Sequence, residues 1–272
     1  MRITGFAALF VLFAVVSSPA QEPQIRQLLQ NILNQPTDTD LPTTKDFFTK
    51  INEVTVGALT NVELQEVLPL AQECIRSPRP NVRQDGLFFF IALVMRPDSA
   101  KLLEPYVDDL GKLTDGAEGN VPLRHAALYV LGSMRPNSPA NAVAMLSANL
   151  ESSRNSSEET LTIAASLLEA APGDASNLHR VLAVTSNRSD SVLTNGVLRQ
   201  LGLSKIHLPE AIAFISTNLG HADPYIRGSA VDAAARLEYN DRIQLSSQLD
   251  RIASDPTESK EVRGQARLAL RQ

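Results

Sequence analysis

The sequence predicts an all-α fold, an α-solenoid of about six antiparallel helix-pair repeats. The first observation is a phrase that recurs about every 31 to 41 residues, in which an aliphatic residue, usually followed by Arg, stands four positions before a small residue. The second is that apolar residues recur with helical spacing, whereas the sustained alternation typical of strands is missing. The third is composition. The chain has no Trp, one Cys and 5% aromatic residues, so its stability must come from close packing without disulfides.

The first 20 residues have the pattern of a secretory signal peptide. A short positively charged start precedes an apolar run from Ile3 to Val16, and the small residues Ser18 and Ala20 lie just before a cleavage site at Gln21. The alternative is an uncleaved membrane anchor, but the run is short for a span, which needs about 20 apolar residues. We therefore expect an exported protein, periplasmic or extracellular, with no membrane span after cleavage.

The mature chain divides into an N-terminal helical cap with a polar loop, residues 21–61, and a repeat array, residues 62–272. The cap is predicted to contain one helix near 25–34 and a second near 45–59. From Val62 onward the helices are predicted to come in pairs, each with a first helix, a short turn and a second helix. The second helices are predicted to begin near residues 81, 122, 159, 190, 225 and 261.

The recurring phrase opens each second helix. Its strong copies are Val82-Arg83 with Gly86, Leu123-Arg124 with Ala127, Ile226-Arg227 with Ala230, and Val262-Arg263 with Ala266. Two weaker copies pair Leu161 with Ala165 and Val192 with Gly196, and both lack the Arg. Residues four apart share one helix face, so the aliphatic residue is predicted to anchor the core while the small one admits a neighbouring helix. The Arg has five donors and is predicted to bond an acidic group or carbonyls of the preceding repeat. The predicted N-caps are Asp223, Asn120, Ser189 and Ser259.

Two alignments compete at the first pair of repeats. Aligning Val82 with Leu123 gives a period of 41, whereas aligning the turns at Met95-Arg96-Pro97 and Met134-Arg135-Pro136 gives 39. A slip of two residues rotates a helix face by about 160°. The anchor alignment is preferred.

These phrases resemble the HEAT family of α-solenoid repeats. Residues 223–230, Asp-Pro-Tyr-Ile-Arg-Gly-Ser-Ala, are similar to the Asp-x-x-Val-Arg-x-x-Ala opening of the second HEAT helix, and Leu123–Gly132 is similar to its continuation towards Ala-Leu-Gly. The resemblance covers residues 62–272. It implies a solenoid whose second helices line the concave side, and it is nearly silent on function.

The predicted first helices also resemble HEAT helices in carrying a Pro, at Pro69, Pro105 and Pro209. Repeats 3 and 4 depart from the family pattern. Thr162 and Leu193 occupy the Arg position there, so a ladder of Arg contacts between repeats is predicted to be interrupted.

A candidate partner-binding surface follows from the same helical phase. Residues that face away from the predicted core are apolar in repeats 1 to 4, at Phe88, Ile91, Tyr129, Ile163, Leu167, Leu198 and Leu201. In repeats 5 and 6 the corresponding surface has Asp232 and the bare glycines Gly228 and Gly264. Two interpretations stay open. The apolar residues form an exposed groove for a partner, or they are buried by neighbouring helices.

Charge and motifs argue against several function classes. The mature chain has 24 basic residues against 30 acidic ones and no basic run, which does not suit nucleic-acid binding. No metal-binding, phosphate-loop, dinucleotide or nucleophile motif occurs around the four histidines or elsewhere. We therefore expect no catalytic, cofactor-binding or metal-binding residues. The sequence predicts an exported, non-catalytic binding module or scaffold for a protein or peptide partner. The alternatives are an enzyme or enzyme accessory on a HEAT-like fold, such as a lyase-like protein, or a structural spacer.

Overall fold

The computed structural model describes residues 21–34, 51–52, 56–115, 120–135, 137–152 and 155–271. The predicted signal peptide and most of the predicted helix near 45–59 lie outside these residues. Within the described residues the secondary structure is helical, with no β-strand, and most of the helices form six successive pairs.

The helices are numbered here in chain order, with the helices of one repeat given together. They are α1 (Gln21–Leu33); α2 (Asn61–Arg76) and α3 (Pro80–Val94); α4 (Ser99–Leu103), a 3₁₀ turn (Glu104–Tyr106), α5 (Val107–Leu113) and α6 (Val121–Gly132); α7 (Ala140–Leu150) and α8 (Ser157–Ala170); α9 (Ala175–Arg188) and α10 (Ser191–Leu203); α11 (Pro209–Leu219) and α12 (Pro224–Arg236); α13 (Tyr239–Ile243), α14 (Ser246–Ser254) and α15 (Lys260–Arg271). The second helices α3, α6, α8, α10, α12 and α15 each begin within two residues of the predicted position.

Side-chain caps explain where most second helices begin. Asn120 accepts a hydrogen bond from Leu123 N, Asp223 from Tyr225 N and Ser259 from Val262 N, as predicted. The prediction for Ser189 was wrong: Asp190 is the N-cap of α10 and Ser189 lies in a left-handed turn with φ of 48°. An Asp carboxylate accepts two backbone N–H groups, which a single Ser hydroxyl does less well.

The six pairs stack into two rows of helices. Each second helix packs closely on the second helix of the next repeat, whereas the first helices touch one another at fewer points. Gly132 shows how close the second helices come, because a Cβ added there would lie 2.5 Å from the carbonyl oxygen of Ser166 in α8. A row with closer spacing forms the inner side of a curved array. The second helices therefore line the concave surface, and the chain is an α-solenoid.

The anchor residues lie in the core between the two rows. Val82, Leu123, Ile226 and Val262 are all buried. Gly86, one of the small residues of the phrase, allows a close approach, since a Cβ there would lie 2.5 Å from Cys74 Cβ in α2. Cys74 is itself wholly buried, and burial raises the pKa of its thiol to about 12, as suits a small core residue.

Burial also decides the alignment of the first two repeats. Val82 in α3 is 2% exposed and Leu123 in α6 is 1% exposed. Val121, which the shorter period would align with Val82, is 44% exposed. The period of 41 residues is therefore the one that keeps both anchors in the core.

The two weaker anchors were assigned one residue away from the true ones. In repeat 4, Val192 is 54% exposed, whereas Leu193 is wholly buried. In repeat 3, Thr160 is wholly buried and Leu161 only partly. The reason is where each helix begins, since α8 starts after a capping box at Ser156 and α10 after Asp190. The Arg position is accordingly occupied by Leu161 and Thr194 rather than by Thr162 and Leu193.

Helix α1 packs on the first repeat as the N-terminal cap. Arg79, in the turn between α2 and α3, donates from Nη2 to the carbonyl of Leu33 at 2.8 Å, which satisfies the end of α1. On the outer row, Arg26 pairs with Glu66 at 2.8 Å. These contacts hold the cap as an extra layer on the solenoid.

Candidate functional site

The predicted apolar surface is not continuous. Four of its residues are wholly buried core residues and are not available to a partner: Ile163, Leu167, Leu198 and Leu201. Because the anchors of repeats 3 and 4 are shifted by one residue, these positions point between the helix rows. Phe88 and Ile91 are half-buried and pack against the core, and Tyr129 is 40% exposed with its hydroxyl 3.9 Å from Met95 Sδ. Partner binding by these three residues stays a prediction.

The concave surface instead opens into a groove over repeats 4 to 6. It has a volume of about 910 Å³ and is lined by side chains from three successive second helices, α10, α12 and α15. We call it the repeat 4–6 groove; its lining includes Asn195, Arg199, Tyr225, Gly228, Asp232 and Glu261. It crosses the helices rather than following one of them, so a ligand that fills it must contact at least three repeats.

Small residues keep the groove open. Gly228 lies on its floor, where a Cβ would lie 3.3 Å from Val262 Cγ2, and Ser229 follows it. In α15, Gly264 lies outside the lining of the groove, and a Cβ added there would have no atom within 4 Å. The sequence did show Gly228, but it gave no reason to see this residue as the floor of a cavity, since the residues around it belong to other repeats.

Tyr225 stands at the mouth of the groove. Pro224 occupies the first turn of α12, and Asp223 caps that turn by accepting from Tyr225 N at 2.8 Å. The backbone at the helix start is therefore fixed while the ring is 80% exposed. An exposed aromatic ring on a rigid backbone is a ready contact for a ligand side chain.

The charges of the groove are only partly paired. Asp232 and Arg236 form an ion pair one helical turn apart, at 3.1 Å. Arg199 and Glu261 make no hydrogen bond or ion pair with any described residue. The amide oxygen of Asn195 is buried on the floor and also accepts no hydrogen bond from the described residues. Arg199 and Glu261 are exposed, so their charged groups are available to a ligand.

Carboxyl groups with strongly shifted pKa values lie outside the groove. Burial raises the pKa of Asp85 to about 6 in α3. For Asp109 in α5, burial would raise the pKa, but hydrogen bonds from Arg76, Gln72 and Lys112 lower it to about 2. Both are structural carboxyl groups, one in the core and one joining first helices. Neither faces the repeat 4–6 groove.

The contacts of Arg124 and Arg83, two Arg residues of the phrase, differ from the predicted contact with the preceding repeat. Arg124 pairs with Glu159, which belongs to the following repeat rather than the preceding one. Arg83 donates to the carbonyl of Ser77 at 2.9 Å, in the turn of its own repeat.

The described residues contain no cluster of three or more His, Cys, Asp or Glu side chains placed to hold a metal ion. Over the same stretches, no helix combines the length and the apolar character that crossing a bilayer requires.

Comparison with known proteins yields structural neighbours alone, since no protein-family model and no curated protein matches the chain. A designed armadillo repeat protein in complex with the peptide (KR)4 is 15% identical, covers 91% of this chain and 98% of its own, and has a TM-score of 0.45. Computationally designed armadillo repeat proteins for modular peptide recognition have the same identity and coverage and a TM-score of 0.41. These TM-scores are too low to establish a shared fold, so the α-solenoid assignment rests on the helix packing described above.

Proposed function

We propose that this protein is an exported, non-catalytic binding module of HEAT-like repeats that holds an extended peptide or protein segment in the repeat 4–6 groove. The observation that carries the proposal is the groove itself, an open channel of about 910 Å³ across three second helices. Because it crosses three helices and has Gly228 on its floor, it suits a chain-like ligand.

The shape of the groove favours a peptide over a small molecule. Small-molecule sites are enclosed and mostly apolar, and they bury most of the surface of the ligand. The repeat 4–6 groove is open, and its lining includes polar side chains such as Asn195, Ser229 and Gln265. Solenoids use extended concave surfaces of this kind to bind macromolecules.

The charges favour a protein or peptide over a nucleic acid. The groove has two Arg residues, but Arg236 is already paired with Asp232, and Glu261 adds an unpaired negative charge. Nucleic-acid binding needs many cations that neutralise successive phosphates. The unpaired ionisable groups also lie on different helices with no partner to activate them, which supports binding rather than catalysis.

A peptide-display experiment tests the proposal. The mature chain is used to select binders from a library of random 12-residue peptides, and the affinity of a selected peptide is measured by fluorescence polarisation. Gln265→Trp places an indole in the groove at an exposed position, whereas Gln244→Trp makes the same change on the outer row. We expect the first variant to weaken binding about tenfold or more, a loss of about 1.4 kcal/mol, and the second to have no effect. Equal binding by the two variants would place the peptide elsewhere and reject the groove.

Export is a separate part of the proposal, and it rests on the N-terminal sequence. Residues 1–20 fused to a reporter that is active only outside the cytoplasm should give activity, and the mature chain should begin at Gln21. Ala20→Arg should block cleavage, because the site requires a small residue there. An intact N-terminus on the wild-type chain would indicate an anchor instead.

A further inference from the structure

We infer that the segment bound in the repeat 4–6 groove carries two opposite charges about six residues apart, an acidic side chain over Arg199 and a basic one over Glu261. This inference rests on the proposed function and names the chemistry of the partner. It starts from the two charged groups in the groove that the described residues leave unpaired.

The two charges lie at opposite ends of the groove. Arg199 is in α10 and Glu261 is at the start of α15, with α12 between them. On α12, Asp232 and Arg236 already neutralise each other. The middle of the groove therefore favours an uncharged part of the ligand, whereas its two ends favour ligand charges of opposite sign.

The spacing follows from helix geometry. Packed helices lie about 8–10 Å apart, so two steps from α10 to α15 span about 16–20 Å. Relative to the buried anchors Leu193 and Val262, Arg199 lies six positions after its anchor and Glu261 one before, and seven residues of helix rise correspond to about 10 Å. The resulting separation of about 19–22 Å corresponds to about six residues of an extended chain at 3.3–3.6 Å each.

The middle of the bound segment is then expected to be uncharged. It crosses the bare floor at Gly228 beside the exposed ring of Tyr225, where small or apolar side chains fit. A uniformly basic segment would place a cation against Arg199, and a uniformly acidic one would place a carboxylate against Glu261. Repulsion at one end would select against both.

Three sets of labelled 12-residue peptides test this. In each, two charged residues six positions apart lie in a frame of Ala, Ser, Gly and Tyr: one Glu and one Lys, two Glu, or two Lys. Binding to the full mature chain is measured at low salt. The wild-type protein should prefer the Glu/Lys set over either like-charged set by about 3- to 10-fold, the range expected for solvent-exposed ion pairs. Shortening the spacing to three residues should remove that preference.

Charge reversal supplies the matched variants. Arg199→Glu should shift the preference to the two-Lys set, and Glu261→Lys should shift it to the two-Glu set. The double variant should again prefer the Glu/Lys set, because an extended peptide can bind in the reverse direction. Arg251→Glu, an equal change of charge at an exposed position in α14 outside the groove, should keep the wild-type preference.

The outcomes separate the inference from the proposed function. If all three sets bind equally and Gln265→Trp weakens each of them, the groove binds peptides but the charge assignment is overturned. If the preference for Glu/Lys is present and is unchanged in Arg199→Glu, the assignment is also overturned. If no set binds and display selects nothing, both the inference and the proposed function fail.

Discussion

Arg227 Nε donates to Glu258 Oε2 at 2.6 Å, and this contact joins the second helix of repeat 5 to the turn of repeat 6. The same guanidinium donates from Nη1 to the carbonyls of His221 and Ala222, both at 2.8 Å, in the turn of its own repeat. One side chain therefore ties its own turn to the following repeat. The pair of Arg124 and Glu159 does the equivalent between repeats 2 and 3.

Removing the carboxylate of this pair should loosen the end of the array. The hydrogen bond from Arg227 lowers the pKa of Glu258, so the stability it contributes is present above its ordinary pKa and is lost as pH falls through the lower native value. Glu258→Gln should lower the free energy of unfolding at pH 7 by about 1–3 kcal/mol, since Glu258 is 95% buried and a charged partner stays behind. Asp232→Asn, in the exposed pair with Arg236, should cost less than about 0.5 kcal/mol. Denaturant unfolding measures both, and equal losses would contradict this account.

Buried Asp85 should lower the free energy of unfolding at neutral pH, where its carboxyl group is ionised, and not in mild acid, where it is protonated. Burial raises its pKa to about 6. A carboxyl with a raised native pKa contributes stability that is fully present below about pH 4 and is lost as pH rises through about 6. Asp85→Asn should thus gain up to about 2–3 kcal/mol relative to wild type at pH 7–8, and that gain should shrink towards pH 4. The exposed Asp108→Asn is the control, and a gain for Asp85→Asn that is constant from pH 4 to pH 8 would refute the assignment.

Enlarging a small residue of the phrase should overpack the contact between helices. Ala230 in α12 is wholly buried, and Ala230→Leu should destabilise by about 1–3 kcal/mol. Ser229→Leu, at the adjacent partly exposed position, should cost much less. Because each repeat contacts mainly its neighbours, hydrogen exchange should increase in repeats 4 to 6 and not in repeats 1 and 2. Uniform loosening would indicate a single cooperative core.

The corrected anchor of repeat 4 can be tested with two adjacent residues. Leu193 is wholly buried in α10 and Val192 is 54% exposed. Leu193→Ala should lower the free energy of unfolding by about 2–5 kcal/mol, because it leaves a cavity in the core. Val192→Ala should change it by less than about 0.5 kcal/mol. Thermal or denaturant unfolding of the two variants measures both losses. A larger loss for Val192→Ala than for Leu193→Ala would identify Val192 as the anchor.

Local sequence determined the helices of this protein and much of their phase. N-cap chemistry at Asn120 and Asp223 and helical periodicity act within a few residues, so the starts of the second helices could be predicted from the chain alone. Four of the six anchors were also predicted. In these copies an aliphatic residue is followed by Arg, and only the aliphatic residue of the two suits the core.

Tertiary packing decided between positions that the local sequence made equally suitable for the core. Val192 and Leu193 are both aliphatic, and only the start of α10 and the neighbouring helices place Leu193 inside. The same shift buried Leu198 and Leu201, which removed two of the seven residues of the predicted apolar surface. The repeat 4–6 groove, in turn, needs α10, α12 and α15 side by side. Residues such as Arg199 and Glu261 are separated by 62 positions in the chain, and no local pattern brings them to one surface. Local sequence specifies helices because their hydrogen bonds span four residues, whereas a groove exists only once separate repeats have packed.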